Sequence, residues 1–165
     1  LSLVSAIITF GLYVINPELM VSIWVGLPLM FVFLGLVVYG GISYRKELGG
    51  YINFGPAYVY SFIVLLTIGV IGLLINLLLY NLVDPTLPET LADASVEQAA
   101  GMMESFGAPP DQIDKALEEQ RIAAEEQFSN MGIFKGFLYS LIGYAVASLI
   151  TGLIIRKQEK FSDVM

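Results

Sequence analysis

"PAYVYSFIVLLTIGVIGLLINLLLYNLV", Pro56 to Val83, contains no charged side chain from end to end. At about 1.5 Å of rise per residue, a helix of this length exceeds a hydrocarbon core of roughly 30 Å. The stretch therefore predicts a transmembrane helix that tilts or extends into the headgroups. Composition agrees: of 165 residues, 56% are hydrophobic and 14% charged, with a mean hydropathy of +0.75. A soluble domain carries about 25% charged residues, so this chain has too little polar surface to cover itself in water.

Three further apolar runs flank this one. Leu1 to Ile15 is uncharged and stops at "NPEL", Asn16 to Leu19. It lacks the basic flank and small-residue cleavage site of a signal peptide, and reads as part of a first span. Val21 to Tyr44 is uncharged, holds Pro28 near its start, and ends at "RKELGG", Arg45 to Gly50. Ile133 to Ile155 ends at "RKQEK", Arg156 to Lys160, with Lys135 in its first turn where it can snorkel.

Arg45 and Lys46 follow the second run, and Arg156, Lys157 and Lys160 follow the fourth. An even-span topology puts both clusters on one face, which the positive-inside rule makes cytoplasmic. Aromatic residues fit the same layout, with Tyr13, Trp24, Tyr80 and Phe137 at one boundary and Tyr39, Tyr44, Tyr51, Phe54 and Tyr58 at the other. The expected fold is an all-α integral membrane four-helix bundle with an extracytoplasmic helical hairpin between spans three and four. Its parts are spans one to three in 1–83, an acidic periplasmic hairpin in 84–132, span four in 133–155 and a cytoplasmic tail in 156–165. The expected location is the bacterial inner membrane, with both termini cytoplasmic.

The segment 84–132 carries eleven carboxylates, opposed only by Lys115 and Arg121. Two prolines in "DPTLPET" suggest a non-helical exit from the membrane. Ser95 and Gln98 in "SVEQ" read as a capping box, followed by the apolar stripe Val96, Ala99, Ala100, Met103 and Phe106. Gly107 suits a left-handed cap. A second helix opens at "APPDQ" and carries the stripe Ile113, Ala116, Leu117, Ala124 and Phe128. Such thin stripes cannot stabilise a free hairpin. It must lie on lipid, on the outer loops or on another protein, and its charge disfavours anionic lipid. Met103, Phe106, Ile113, Leu117 and Phe128 are the candidate docking residues. Asp111, Asp114 and Glu118 share a face, but the spacing is that of a solvated surface with i,i+4 pairs Asp111–Lys115, Lys115–Glu119 and Arg121–Glu125, not of a calcium loop.

The chemistry open to the chain is narrow. It has no Cys and no His, which removes disulfides, thiolate catalysis and His-based acid–base work. No metal site, cofactor or catalytic residue is expected. A net charge of −7 argues against nucleic acid. Inside the apolar runs the notable polar residue is Asn76, expected to hydrogen-bond across to a neighbouring helix rather than to a substrate. In span four, Gly136, Ser140, Tyr144, Ser148 and Gly152 recur every four residues, beside Gly143, Ala147 and Thr151. Small residues at that spacing let helix backbones approach closely, within this chain or against a partner.

Three stretches together resemble a known family. "YINFGPAYVYSF" (Tyr51 to Phe62) opens span three with I-x-F-G-x-A, "PPDQIDKALEEQRIAAEEQFS" (Pro109 to Ser129) forms the acidic helix, and "GFLYSLIGYAVASLITGLIIRKQE" (Gly136 to Glu159) closes the chain. This order resembles the small four-span membrane proteins of Bacteroidota-type bacteria grouped as domain of unknown function 4199. One departure is Pro109, where a Ser or Asp cap would be typical. The resemblance implies no activity and no site residue; it suggests a membrane-linked glycosyltransferase as one partner class. The expected function is a non-catalytic accessory or scaffolding subunit of a larger inner-membrane complex. The alternative is a small transporter or lipid-binding, flippase-like helper that acts as a homo-oligomer, with Asn76, Ser140, Tyr144 and Ser148 lining a groove.

Overall fold

The computed structural model describes residues 1–158. Lys160 and the remainder of the anticipated tail lie outside the described residues. Among the described residues six α-helices follow one another: α1 (Ser2–Ile15), α2 (Ile23–Glu47), α3 (Phe54–Leu78), α4 (Leu87–Ser105), α5 (Pro110–Phe128) and α6 (Asn130–Ile155). Among the described residues there is no strand, only an isolated antiparallel bridge between Ile52 and Lys157.

Three helical stretches are long and apolar enough to cross a membrane: Ile23–Glu47, Phe54–Val83 and Asn130–Ile155. The fourth apolar helix, α1, has 14 residues, which span about 21 Å and fall short of a hydrocarbon core. Three helices of spanning length and one shorter apolar helix thus stand where four spans, the first of them incomplete, were expected. Pro28 does not break α2, which continues to Glu47; near the helix start its missing N–H costs one bond. The third stretch ends in a π-turn, Leu79–Val83, closed by the Asp84 amide on the Leu79 carbonyl at 2.8 Å.

The α3–α6 pair is the spine of the packing, with α1 on α3 and α2 on both. Buried Ala57, Ser61 and Leu65 of α3 repeat every four residues, and α6 buries Ser148, Thr151, Gly152 and Ile155. Gly152 marks the closest approach: a side chain there would begin 3.1 Å from the Tyr58 backbone. The basic residues gather at this end. Arg45 donates to the Ile155 carbonyl at 2.7 Å, where the last turn of α6 leaves acceptors free. Lys157 sits 5.4 Å over the Tyr51 ring, and Ile52 and Lys157 exchange two backbone hydrogen bonds of 2.9 Å.

At the opposite end α4 and α5 form the antiparallel hairpin. Gly107 turns it with φ +76, a conformation that favours glycine. The start of α4 differs from the sequence reading. The helix begins at Leu87, with Pro88 in its first turn, because a missing N–H costs nothing there. Ser95 is consequently mid-helix, its hydroxyl donating to the Ala92 carbonyl at 2.8 Å, and there is no capping box. Gln98 instead reaches the α1–α2 connection. With its side-chain amide turned so that oxygen and nitrogen each meet a partner, it donates to the Val21 carbonyl and accepts from the Ile23 N–H, both at 3.1 Å, and so caps α2. At the other end of the hairpin, Pro109 precedes α5 without a side-chain cap, yet the helix starts at Pro110 as expected.

Candidate functional site

Two regions bear on function, the hairpin and a cleft among the apolar helices. The hairpin is rooted on this chain's own helices. Leu79, Tyr80, Leu87 and Leu91 form a buried cluster, joined by Tyr13, Met20, Val21, Ile75, Phe128 and Ile133. The π-turn presents Leu79 and Tyr80 to α4, so the support that the hairpin required is the end of its own bundle. The joint with α6 is tight. Ser129 accepts from the Gly132 amide at 3.0 Å, and a side chain on Gly132 would strike the Glu126 and Gln127 carbonyls. Lys135 donates to Glu126 at 2.8 Å, which holds the Glu126 carboxyl below its ordinary value. At the entry to α4, hydrogen bonds from Thr86 lower Asp84 in the same way.

Away from this root the docking candidates separate. Ile113 is buried, Met103, Leu117 and Phe128 are half-buried, and Phe106 is 85% exposed at the tip. Met102, next to Met103 of the anticipated stripe, is 44% exposed. Of the three ion pairs expected along α5, only Arg121–Glu125 forms among the described residues, at 3.4 Å. Arg121 also lies 3.8 Å from Asp93 and ties the two hairpin helices together. Lys115 is left without the pairs predicted for it, as expected of exposed charges that gain little by pairing.

The cleft, of about 340 Å³, lies between α1, α3 and α6. Asn76, Gly136, Ser140 and Tyr144 line it, with Ser5, Gly69 and Gly72. Asn76 does not reach across to another helix. Its amide donates to the Gly72 carbonyl of its own helix at 3.0 Å. Ser140 donates to the Phe137 carbonyl at 2.7 Å. The Tyr144 ring rests on Gly69, where a side chain would collide with it. Ser148 lies below this floor, buried and donating to the Tyr144 carbonyl at 2.6 Å. The anticipated groove thus includes three of its four residues. Thr151 and Gly152 are buried beside Ser148, Ala147 is half-buried, and Gly143 is exposed with open space around it. Sequence reading missed Ser5 as lining; a small polar residue in the first apolar run was the available signal.

A second chamber of about 240 Å³ adjoins the first toward the hairpin, and Asn76 lines both. Thr9, Tyr80, Leu91 and Phe128 are among its walls. Leu91 and Phe128 belong to the hairpin, which roofs this chamber.

Residues 1–157 match the family described as "Protein of unknown function (DUF4199)". The chain belongs to this family. No curated protein and no solved structure matches it. Family membership therefore brings no assigned activity to the cleft or the hairpin.

Proposed function

We propose that this DUF4199 chain is a non-catalytic accessory or scaffolding subunit of a larger inner-membrane complex. It spans the membrane as a four-helix bundle with both termini cytoplasmic and the hairpin periplasmic. The observation that carries the reading is the division of the hairpin into a fixed root and a free tip. Phe106 is 85% exposed at the end of a helical arm whose root is buried. A rigidly mounted aromatic is the kind of anchor that dominates interfaces. The surrounding carboxylates favour a partner with a basic surface and steer its approach. The gathering of Arg45, Lys46, Arg156 and Lys157 at the opposite end supports the orientation.

Affinity purification of the tagged chain in mild detergent, with mass determination of what co-elutes, tests the role. A stoichiometric membrane protein lost from Phe106→Ser and weakened by salt supports it. A chain that purifies alone, or a partner indifferent to Phe106, overturns it. Orientation has its own test, because the chain has no native Cys. In intact spheroplasts a membrane-impermeant maleimide is expected to label Glu104→Cys and to spare Lys46→Cys; the reverse pattern inverts the topology. A lipid-binding role is the second reading, favoured by the intramembrane cleft.

A further inference from the structure

We propose that the cleft and the chamber above it form one binding site for an uncharged lipid bearing a hydroxyl, of the diacylglycerol class. The inference starts from depth. Asn76 lies seven residues before Val83 along α3 and the π-turn, about 10 Å below the hairpin end of the apolar run. Gly69, beneath the Tyr144 ring, lies about 10 Å deeper again. The site therefore runs from the boundary region toward the middle of the hydrocarbon layer. Together the two volumes fall within the roughly 300–1,000 Å³ typical of small-molecule sites.

The lining selects the ligand. Among the described residues, neither chamber has a charged side chain in its walls. A phosphate or carboxylate would enter without a cation to meet it, and burying an unpaired charge is prohibitive. The carboxylates of the hairpin and connecting loop oppose anions further. The walls are not wholly apolar, however. Asn76 spends one of its two amide N–H groups on Gly72 and keeps the other beside its side-chain carbonyl oxygen where the chambers meet, a donor and an acceptor that one hydroxyl matches together. No water is available in hydrocarbon to satisfy such a group. A lipid hydroxyl donated to Asn76 does so, its polar end under Leu91 and Phe128 and its chain descending past Gly72 and Gly136 to Tyr144.

A partner transmembrane helix fits less well. Such a helix is about 10–12 Å across with side chains, and the hairpin residues Leu91 and Phe128 close the upper chamber through which it would have to continue. A lipid's polar end stops under that roof, while one acyl chain descends in the cleft and the second stays in the bilayer. Entry is lateral, because α1 and α6 each pack chiefly on α3 and leave the cleft open toward the membrane. The inference stands independently of the accessory role.

The test uses the full chain in phosphatidylethanolamine–phosphatidylglycerol vesicles, doped with a diacylglycerol carrying a diazirine on its acyl chain. Labelling is expected on peptides around Gly69–Asn76 and Gly136–Tyr144. Gly136→Leu, which fills the cleft, is expected to cut it about tenfold, equivalent to roughly 1.4 kcal/mol of binding. Gly143→Leu places the same side chain on the exposed face and is expected to leave labelling unchanged. Unlabelled diacylglycerol should compete on the unmodified protein, and this arm needs no variant to fold. Uniform labelling of all membrane-facing peptides overturns the proposal, as does equal competition by phosphatidylglycerol. Cross-linking of a second copy through the same peptides also overturns it.

Discussion

The small residues of α6 behave differently along its length. Toward the basic end, Ser148, Thr151 and Gly152 are buried and the α3 backbone comes within touching distance of Gly152. Toward the hairpin, Gly136 and Ser140 have the same spacing on the same helix, yet they line an open cleft. The difference comes from what α3 offers in return. Where α3 presents Ala57 and Ser61 the helices close. Where it presents Gly69, the Tyr144 ring fills the gap and the helices part above it. A stripe of small residues permits close approach; the bulky side chain lodged between the helices decides whether it happens.

The most forceful way to break the contrast is to fill the closed half. Gly152→Leu drives a side chain into the Tyr58 backbone, which cannot rotate aside as a side chain would. It is expected to cost about 3 kcal/mol, the upper part of the usual range for overpacking. Thermal unfolding in detergent measures this, with Gly143→Leu unchanged as the reference; equal midpoints for the two variants would erase the distinction between the halves.

Next comes the roof of the open half. Leu91 is 2% exposed in the root cluster, so Leu91→Ala is expected to destabilise by about 2 kcal/mol. Hydrogen exchange should accelerate in α4 and leave the α3–α6 contact near Gly152 protected. Acceleration spread evenly over both regions would mean that the hairpin and the closed half unfold as one unit. A smaller effect, about 1 kcal/mol, is expected from Gly69→Ala, which displaces the Tyr144 ring. Tyr144→Ala should suppress that cost in the double variant, whereas additive costs would show that Tyr144 is not the spacer.

The least effect concerns the joint beside the cleft. Pairing with Lys135 lowers the Glu126 carboxyl from its ordinary 4.5. A depressed carboxylate stabilises the fold above its unfolded value, and that contribution is lost as pH falls through the folded one. Glu126→Gln should therefore melt slightly below the unmodified chain at neutral pH, and the gap should vanish on acidification below about 4.5. A gap that persists in acid assigns the difference to something other than the ion pair.

The apolar helices were legible because hydrocarbon thickness imposes a length and excludes charge, and the run from Pro56 to Val83 satisfies both conditions. Gly107 was legible as a hairpin turn because few other residues tolerate its φ. The start of α4 was not, since Pro88 reads equally as a barrier or as a first-turn residue. Gln98 was misassigned to Ser95 because its actual partners, Val21 and Ile23, lie far away in sequence. The cleft was half legible. Asn76, Ser140 and Tyr144 stood out as polar residues in oil, but the seating of Tyr144 on Gly69 depends on how two helices meet, which neither helix states alone.

The paired backbone bonds between Ile52 and Lys157 have a mechanical consequence. They clasp the α2–α3 connection to the end of α6, and Arg45 adds a second fastening to Ile155. The hairpin end is fastened as well, since the side chains of Asn81 and Asn130 exchange amide hydrogen bonds of 2.9 and 3.0 Å. Pinned at both ends, α3 and α6 behave like a doubly clamped beam, so the cleft widens only as the helices bow between the two fastenings while the contact at Gly152 stays shut.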